Sequence, residues 1–121
     1  VWEYLLSAEA ALATFRLLTT PYCLVGHSHL PFVCRETEHG CAFEPFPENE
    51  PLSLGQHRLI LNPGSVGQPR DGDPRASYAL YDSEGKTITR HRVEYDIAAT
   101  QEKIRLAGLP LWLADRLSLG R

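Results

Sequence analysis

A short apolar run, Tyr22-Cys23-Leu24-Val25, stops at Gly26 and gives way to His27-Ser28-His29-Leu30-Pro31. A run of this length ending at glycine has the profile of a buried strand that delivers a loop to the edge of a sheet. The chain is therefore expected to be built around a sheet, with two imidazoles at a strand end. Neutral imidazole is the commonest transition-metal ligand, and an i, i+2 pair in extended geometry would set both rings on one side of the chain. Gly26 would let the backbone turn sharply and leave room for a bulky neighbour such as a metal or a phosphate. Spacing alone leaves the ordinary alternative open, in which both histidines are surface or core side chains.

The rest of the chain reads as a mixture of helix and strand. Leu5, Ala8, Leu12 and Phe15 share one helical face and predict an amphipathic helix from Trp2 to Leu18, ended by Thr19-Thr20-Pro21. Phe32 to Arg35 and Cys41 to Phe43 are expected to run antiparallel around the turn at His39-Gly40. The prolines and glutamates between Glu44 and Gln56 predict a surface loop. Arg58 to Leu61 is a further strand, broken at Asn62-Pro63-Gly64-Ser65. Ser77 to Tyr81 and Thr87 to Tyr95 alternate around Asp82-Ser83-Glu84-Gly85-Lys86 as a hairpin would. Ile97 to Leu106 and Pro110 to Leu117 predict two short helices separated by Gly108.

Bulk properties exclude some functions. With 12 basic against 15 acidic residues the chain has no global basic field, so nucleic acid is not an expected partner, though it stays open as a substrate. No apolar run approaches the roughly 20 residues of a membrane span, and a cytoplasmic setting is the default expectation. Cys23, Cys34 and Cys41, odd in number and irregular in spacing, predict reduced thiols and no disulfide framework. The 121 residues begin at Val1 and include no methionine, from which an upstream segment is expected.

A second motif follows the last strand of the first sheet region: Asn62-Pro63-Gly64-Ser65-Val66-Gly67-Gln68-Pro69-Arg70. Strand, Asn-Pro and then two glycines expose backbone N–H groups that can face an anion, as a phosphate-binding nest would. An ordinary turn capped by its own Asn and Ser is the alternative reading.

Taken together in this order, Gly26 to Pro31 followed by Leu61 to Asp71 resembles the C-terminal half of the calcineurin-like metallophosphoesterases, with the bacterial single-domain phosphodiesterase branch the nearest in pattern. The resemblance extends through Ser77 to Asp82 and weakly into the tail. It implies an α/β (α+β) sandwich: residues 1–121 as the C-terminal portion of one four-layer αββα domain, a mixed sheet with flanking helices. It also implies a site with two divalent metals (Mn, Fe, Zn or Ni) hydrolysing a phosphomonoester or phosphodiester, with His27 on one metal and His29 on the other. Asn62, Gly64 and Ser65 correspond to the family loop beside the histidine turn. Arg70 is a candidate phosphate clamp because its planar fork suits a phosphate bidentately. The competing reading for Arg70 is a surface salt bridge to Asp71 or Asp73.

The family pattern also needs, upstream, an Asp-x-His, a Gly-Asp, a Gly-Asn-His and one more histidine, and none occurs here in that order. Gly72-Asp73 follows the histidine turn and does not match the bridging motif. No catalytic residue is therefore assigned within this chain, the missing N-terminal half is its expected partner, and the chain alone is expected to be inactive. An exposed strand edge, with self-association as its consequence, is expected where that half would pack. A non-catalytic scaffold or protein-interaction member of the same fold is the alternative function.

Overall fold

A computed structural model describes residues 4–55 and 57–121. Helix α1 spans Ala8–Leu17, with Ser7 as its N-cap accepting from the Ala10 N–H. The predicted helix began at Trp2; Tyr4 to Leu6 are not helical, and Val1 to Glu3 lie outside the described residues. The buried face is also turned from the expected one, since Ala11 and Phe15 are buried while Ala8 is exposed. Leu5 still reaches the core, from the segment before the helix.

The strands are β1 (Tyr22–Leu24), β2 (Pro31–Thr37), β3 (Gly40–Glu44), β4 (Pro51–Ser53), β5 (Leu59–Pro63), β6 (Ala76–Asp82) and β7 (Thr87–Val93). They form a four-stranded sheet in the order β1-β5-β2-β3 and a three-stranded sheet in the order β4-β7-β6. In the first sheet β1 and β5 are parallel and the other pairs antiparallel, so the sheet is mixed. The two-residue period of a strand sorts β2 and β5 between two cores. Val33, Leu59 and Leu61 meet Phe46, Leu54 and Ile88 between the sheets, whereas Phe32, Cys34 and Ile60 meet Ala11 and Phe15 under α1. Burial pushes the Cys34 thiol up to about 12, with the Cys41 hydrogen bond adding to it, so the thiol is held neutral as a core group. No disulfide joins the three cysteines.

Two expectations change. Between Glu44 and Gln56 the chain is more than a surface loop: Pro51–Ser53 adds β4 to β7, and Phe46 and Leu54 are buried between the sheets. The prolines fit because β4 is an edge strand, where a missing N–H costs no ladder bond. Strand β1, expected to be buried, is also an edge among the described residues and leaves Leu24 61% exposed.

After β7 come α2 (Ile97–Leu106), capped by Asp96, then α3 (Leu111–Asp115) and a 3-10 turn over Arg116–Leu119. Among the described residues no helix is long and apolar enough to cross a membrane.

Candidate functional site

The ends of β1 and β5 lie side by side because the strands are parallel and paired in register, Leu24 opposite Leu61. Each strand therefore releases its following segment at the same edge of the sheet, and the two sequence motifs meet there.

The meeting is fixed by Asn62. Its side chain is fully buried, and Nδ2 donates to the Gly26 carbonyl at 3.2 Å and to Ser28 Oγ at 2.9 Å. Oδ1 accepts from the Gly64 N–H at 2.9 Å. Asn62 was expected in a loop that breaks the strand; instead it continues β5 opposite Phe32. Its amide is occupied within the protein, so Asn62 ties the histidine turn to the following loop.

His27 and His29 have φ of 71° and 61°. The expected extended i, i+2 geometry is thus absent, and the sharp turn is made by the histidines themselves, without a positive φ at Gly26. Left-handed backbone at non-glycine residues costs on the order of 1–3 kcal/mol each, and such outliers persist where surrounding contacts over-determine them. Those contacts are present. The His27 ring stacks on Tyr4 with centroids 4.4 Å apart and planes 18° apart. His29 Nδ1 lies 2.6 Å from the Gln68 carbonyl oxygen. A carbonyl only accepts, so Nδ1 is assigned the proton, and in the neutral ring Nε2 then carries the lone pair. This is the arrangement by which a histidine is held in the tautomer that binds metal.

The loop after β5 is constrained at each residue the sequence singled out. Gly64 has φ 89°, and a Cβ there would lie 3.0 Å from Ser77 Cβ, so glycine is needed for both backbone and space. Ser65 Oγ accepts from the Gly67 N–H at 3.1 Å, and the Ser65 carbonyl accepts from the Ser77 N–H at 2.8 Å. The Gly67–Gln68 peptide is cis. Arg70 donates its backbone N–H to the His29 carbonyl at 3.4 Å.

Among the described residues, the Arg70 side chain has none of the carboxylate partners that a surface salt bridge requires. Asp71 pairs with Arg92, while Asp73 pairs with Arg75 and Arg92. Among the described residues, Arg70 Nε is buried without a hydrogen-bond partner, as is Gln68 Oε1. Two orphaned polar atoms, one donor and one acceptor, lie within three residues of each other.

Sequence reasoning missed the staple behind this loop. Arg92, with its side chain 3% exposed, donates to Asp71 and to the carbonyls of Asp73 and Arg75. Arg75 spans Glu48 and Asp73. The Arg75 guanidinium hydrogen bond holds the Asp73 carboxyl down to about 2, against a partial opposing effect of burial. Gly120 closes the staple from the C-terminus: its carbonyl accepts from the Gly72 N–H at 3.0 Å, and a Cβ would come within 2.7 Å of the Asp73 backbone. Charged residues at every second position, Asp71, Asp73 and Arg75, were the available signal, but a partner on β7 was not visible in it.

His27 and His29 suit a metal as imidazole donors, one with its tautomer set. Among the described residues no group of three or more His, Cys, Asp or Glu side chains is placed to hold an ion.

No protein-family model matches the chain. It is 46% identical over 97 residues to the uncharacterized protein MJ0912 of Methanocaldococcus jannaschii, a match covering 80% of this chain and 38% of that protein. Among solved structures, it matches the crystal structure of a metallophosphoesterase from Sphaerobacter thermophilus with a TM-score of 0.94 and 47% identity, over 100% of this chain and 51% of that one. The hypothetical protein PH1004 from Pyrococcus horikoshii OT3 matches with a TM-score of 0.65 at 23% identity, over 95% of this chain and 38% of that chain, a likeness of fold alone. The chain thus spans about half, or less, of the length of each of these relatives.

Proposed function

We propose that the chain, 47% identical to the Sphaerobacter thermophilus metallophosphoesterase over 51% of that chain, belongs to the calcineurin-like metallophosphoesterases and is the C-terminal half of a metal-dependent hydrolase of phosphomonoesters or phosphodiesters. The observation that carries the reading is His29, whose Nδ1–H is held by the Gln68 carbonyl so that Nε2 is left as the donor. His27 is the second donor, its ring fixed against Tyr4. A pair of divalent ions (Mn, Fe, Zn or Ni) would supply Lewis-acid polarisation of the phosphoryl oxygens and an acidified water.

This chain's own residues hold and orient. Arg70, whose side chain pairs with no carboxylate among the described residues, is the clamp for a phosphate oxygen. Gly64 and Ser65 shape the loop, and Asn62 couples it to the histidine turn, so that a movement of the loop is a movement of His29.

The other half of the domain would bring the remaining ligands and cover the open side of the sandwich. There Tyr22, Leu24, Leu54, Leu61, Tyr81 and Ile88 line an apolar cleft of about 240 Å³ between the sheets. The share of the Sphaerobacter enzyme that the chain spans, 51%, supports this division. Without that half, the chain is expected to bind divalent metal weakly and to be inactive.

The test uses the protein joined to its other half. His29→Ala is expected to lower kcat on a generic phosphodiester at saturating Mn²⁺ by at least about a hundredfold while leaving the thermal melt little changed, because a loop ligand acts on the transition state. Equal kcat in the two proteins would remove the enzyme reading and leave a scaffold of the same fold.

A further inference from the structure

His29 is oriented by a backbone carbonyl on a loop, and a loop can hold an imidazole only as firmly as the loop is itself held. The Gln68 carbonyl lies 2.6 Å from His29 Nδ1. Gln68 follows a stretch that leaves the sheet after Pro63 and exposes Val66 and Gly67 to solvent. The contacts that fix this stretch come from the start of β6, where Ser77 is 2% exposed.

Ser77 reaches the successive residues Pro63, Gly64 and Ser65. Its Oγ donates to the Pro63 carbonyl at 2.6 Å, and its N–H donates to the Ser65 carbonyl at 2.8 Å. Between them the Gly64 backbone lies against the side chain, since a Cβ on Gly64 would stand 3.0 Å from Ser77 Cβ. The loop carries the constraint onward: Ser65 Oγ accepts from the Gly67 N–H at 3.1 Å, and the next carbonyl, that of Gln68, is the one on His29.

A serine hydroxyl has a single proton and can turn it in several directions. Here the direction is set from behind by Arg90, a buried residue of β7. Its Nε is anchored on the Phe46 carbonyl at 2.8 Å, and its Nη1 donates to Ser77 Oγ at 3.4 Å. A guanidinium only donates, so it takes the acceptor side of the hydroxyl and leaves the proton for Pro63. An unbroken set of hydrogen bonds and covalent links therefore runs from β7 through Ser77 and the loop to the imidazole.

We propose that Ser77 is a positioning residue for His29: it holds the loop that keeps the imidazole proton on Nδ1 and the lone pair on Nε2. The inference rests on the reading of His29 as a metal donor and adds to it the residue that selects the donor atom. Loss of the Ser77 hydroxyl should change which nitrogen of His29 carries the proton, beyond any change in stability.

The tautomer can be read in the chain itself from the nitrogen chemical shifts of the His29 ring, at about pH 8.5, where an ordinary imidazole is neutral. The parent is expected in the Nδ1–H form. Ser77→Ala should lose most of that form and move His29 toward the mixture of tautomers that a free imidazole shows. Ile88→Val serves as the control, because Ile88 is buried in the core between the sheets and its truncation lowers the melt through packing alone. It should leave His29 in the parent form. A parent without the Nδ1–H form, a Ser77→Ala spectrum equal to the parent's, or an equal loss in Ile88→Val overturns the proposal. If Ser77→Ala does not fold, Ser65→Ala breaks the next link, an exposed hydrogen bond whose loss the fold tolerates. Part of the Nδ1–H form should then be lost with the melt unchanged, and an unaltered His29 spectrum overturns the proposal. The kcat of His29→Ala is measured separately, so the positioning role and the phosphoesterase reading stand or fall independently.

Discussion

The two ends of the sandwich contrast sharply. At the histidine turn most buried polar groups are matched: Asn62 uses both ends of its amide, Gly64 is packed against Ser77, and Arg92 and Gly120 fasten the loop from behind, with Gln68 Oε1 and Arg70 Nε left without a partner among the described residues. At the open side, Leu24, Leu80 and Tyr81 are 61%, 59% and 55% exposed along strand edges, and an apolar cleft stands between the sheets. An unmatched buried polar group is expensive, so most of the hydrogen bonds at the turn are made within this chain. Apolar surface can wait for a partner. The difference fits the proposed function, in which this chain holds its loops in place before a further segment covers the open side.

Breaking the polar knot should have the largest effect. Asn62→Leu preserves apolar volume but strips an acceptor from the Gly64 N–H and donors from the Gly26 carbonyl and Ser28 Oγ. Each buried group left unmatched costs about 1–3 kcal/mol, so a loss of about 3 kcal/mol is expected in chemical denaturation. The His29 signals in an imidazole NMR spectrum should broaden or move as well. A variant as stable as the parent, with unchanged His29 signals, would show that the knot does not set the turn.

A smaller effect is expected from the staple, and it depends on pH. The folded Asp73 carboxyl lies at about 2, below its ordinary 3.8. A carboxyl with a lowered folded pKa contributes stability that is fully present above the unfolded value and is lost as pH falls through the folded one. Asp73→Asn should therefore melt lower than the parent at pH 7, and the gap should close as both are taken from about pH 4 to about pH 2. A gap that stays constant across that range would mean the Arg75 contact does not act through charge.

Much of the architecture was legible, because strand and helix periods reflect burial directly. The β2–β3 and β6–β7 hairpins and the two tail helices fall where alternation and Gly108 placed them. Strand β4 was not legible: Pro45, Pro47 and Pro51 mark a loop, and only the tertiary partner β7 makes a strand of it. The two motifs predicted a common site, and the parallel pairing of β1 with β5 brings them together. The left-handed turns at His27 and His29 could not be read, since glycine is the residue expected there. Nor could the hold on His29, because it comes from a backbone carbonyl, a group every residue possesses.

The smallest effect is expected at the open edge, and it sharpens the contrast most. Leu24 is paired through its backbone to Leu61, while its side chain is 61% exposed beside the cleft. Substitutions of exposed side chains away from buried networks usually change stability by no more than about 0.5 kcal/mol. Leu24→Lys should therefore leave the thermal melt of this chain almost unchanged. A lysine on an edge strand opposes pairing with another chain, so self-association measured by sedimentation should fall. Association with the N-terminal half proposed above should fall too, because the same charge would have to enter an apolar interface without a partner. A drop in melting temperature comparable to that of Asn62→Leu would mean that the edge already belongs to the folded core of this chain, and the distinction between a finished end and an open one would not hold.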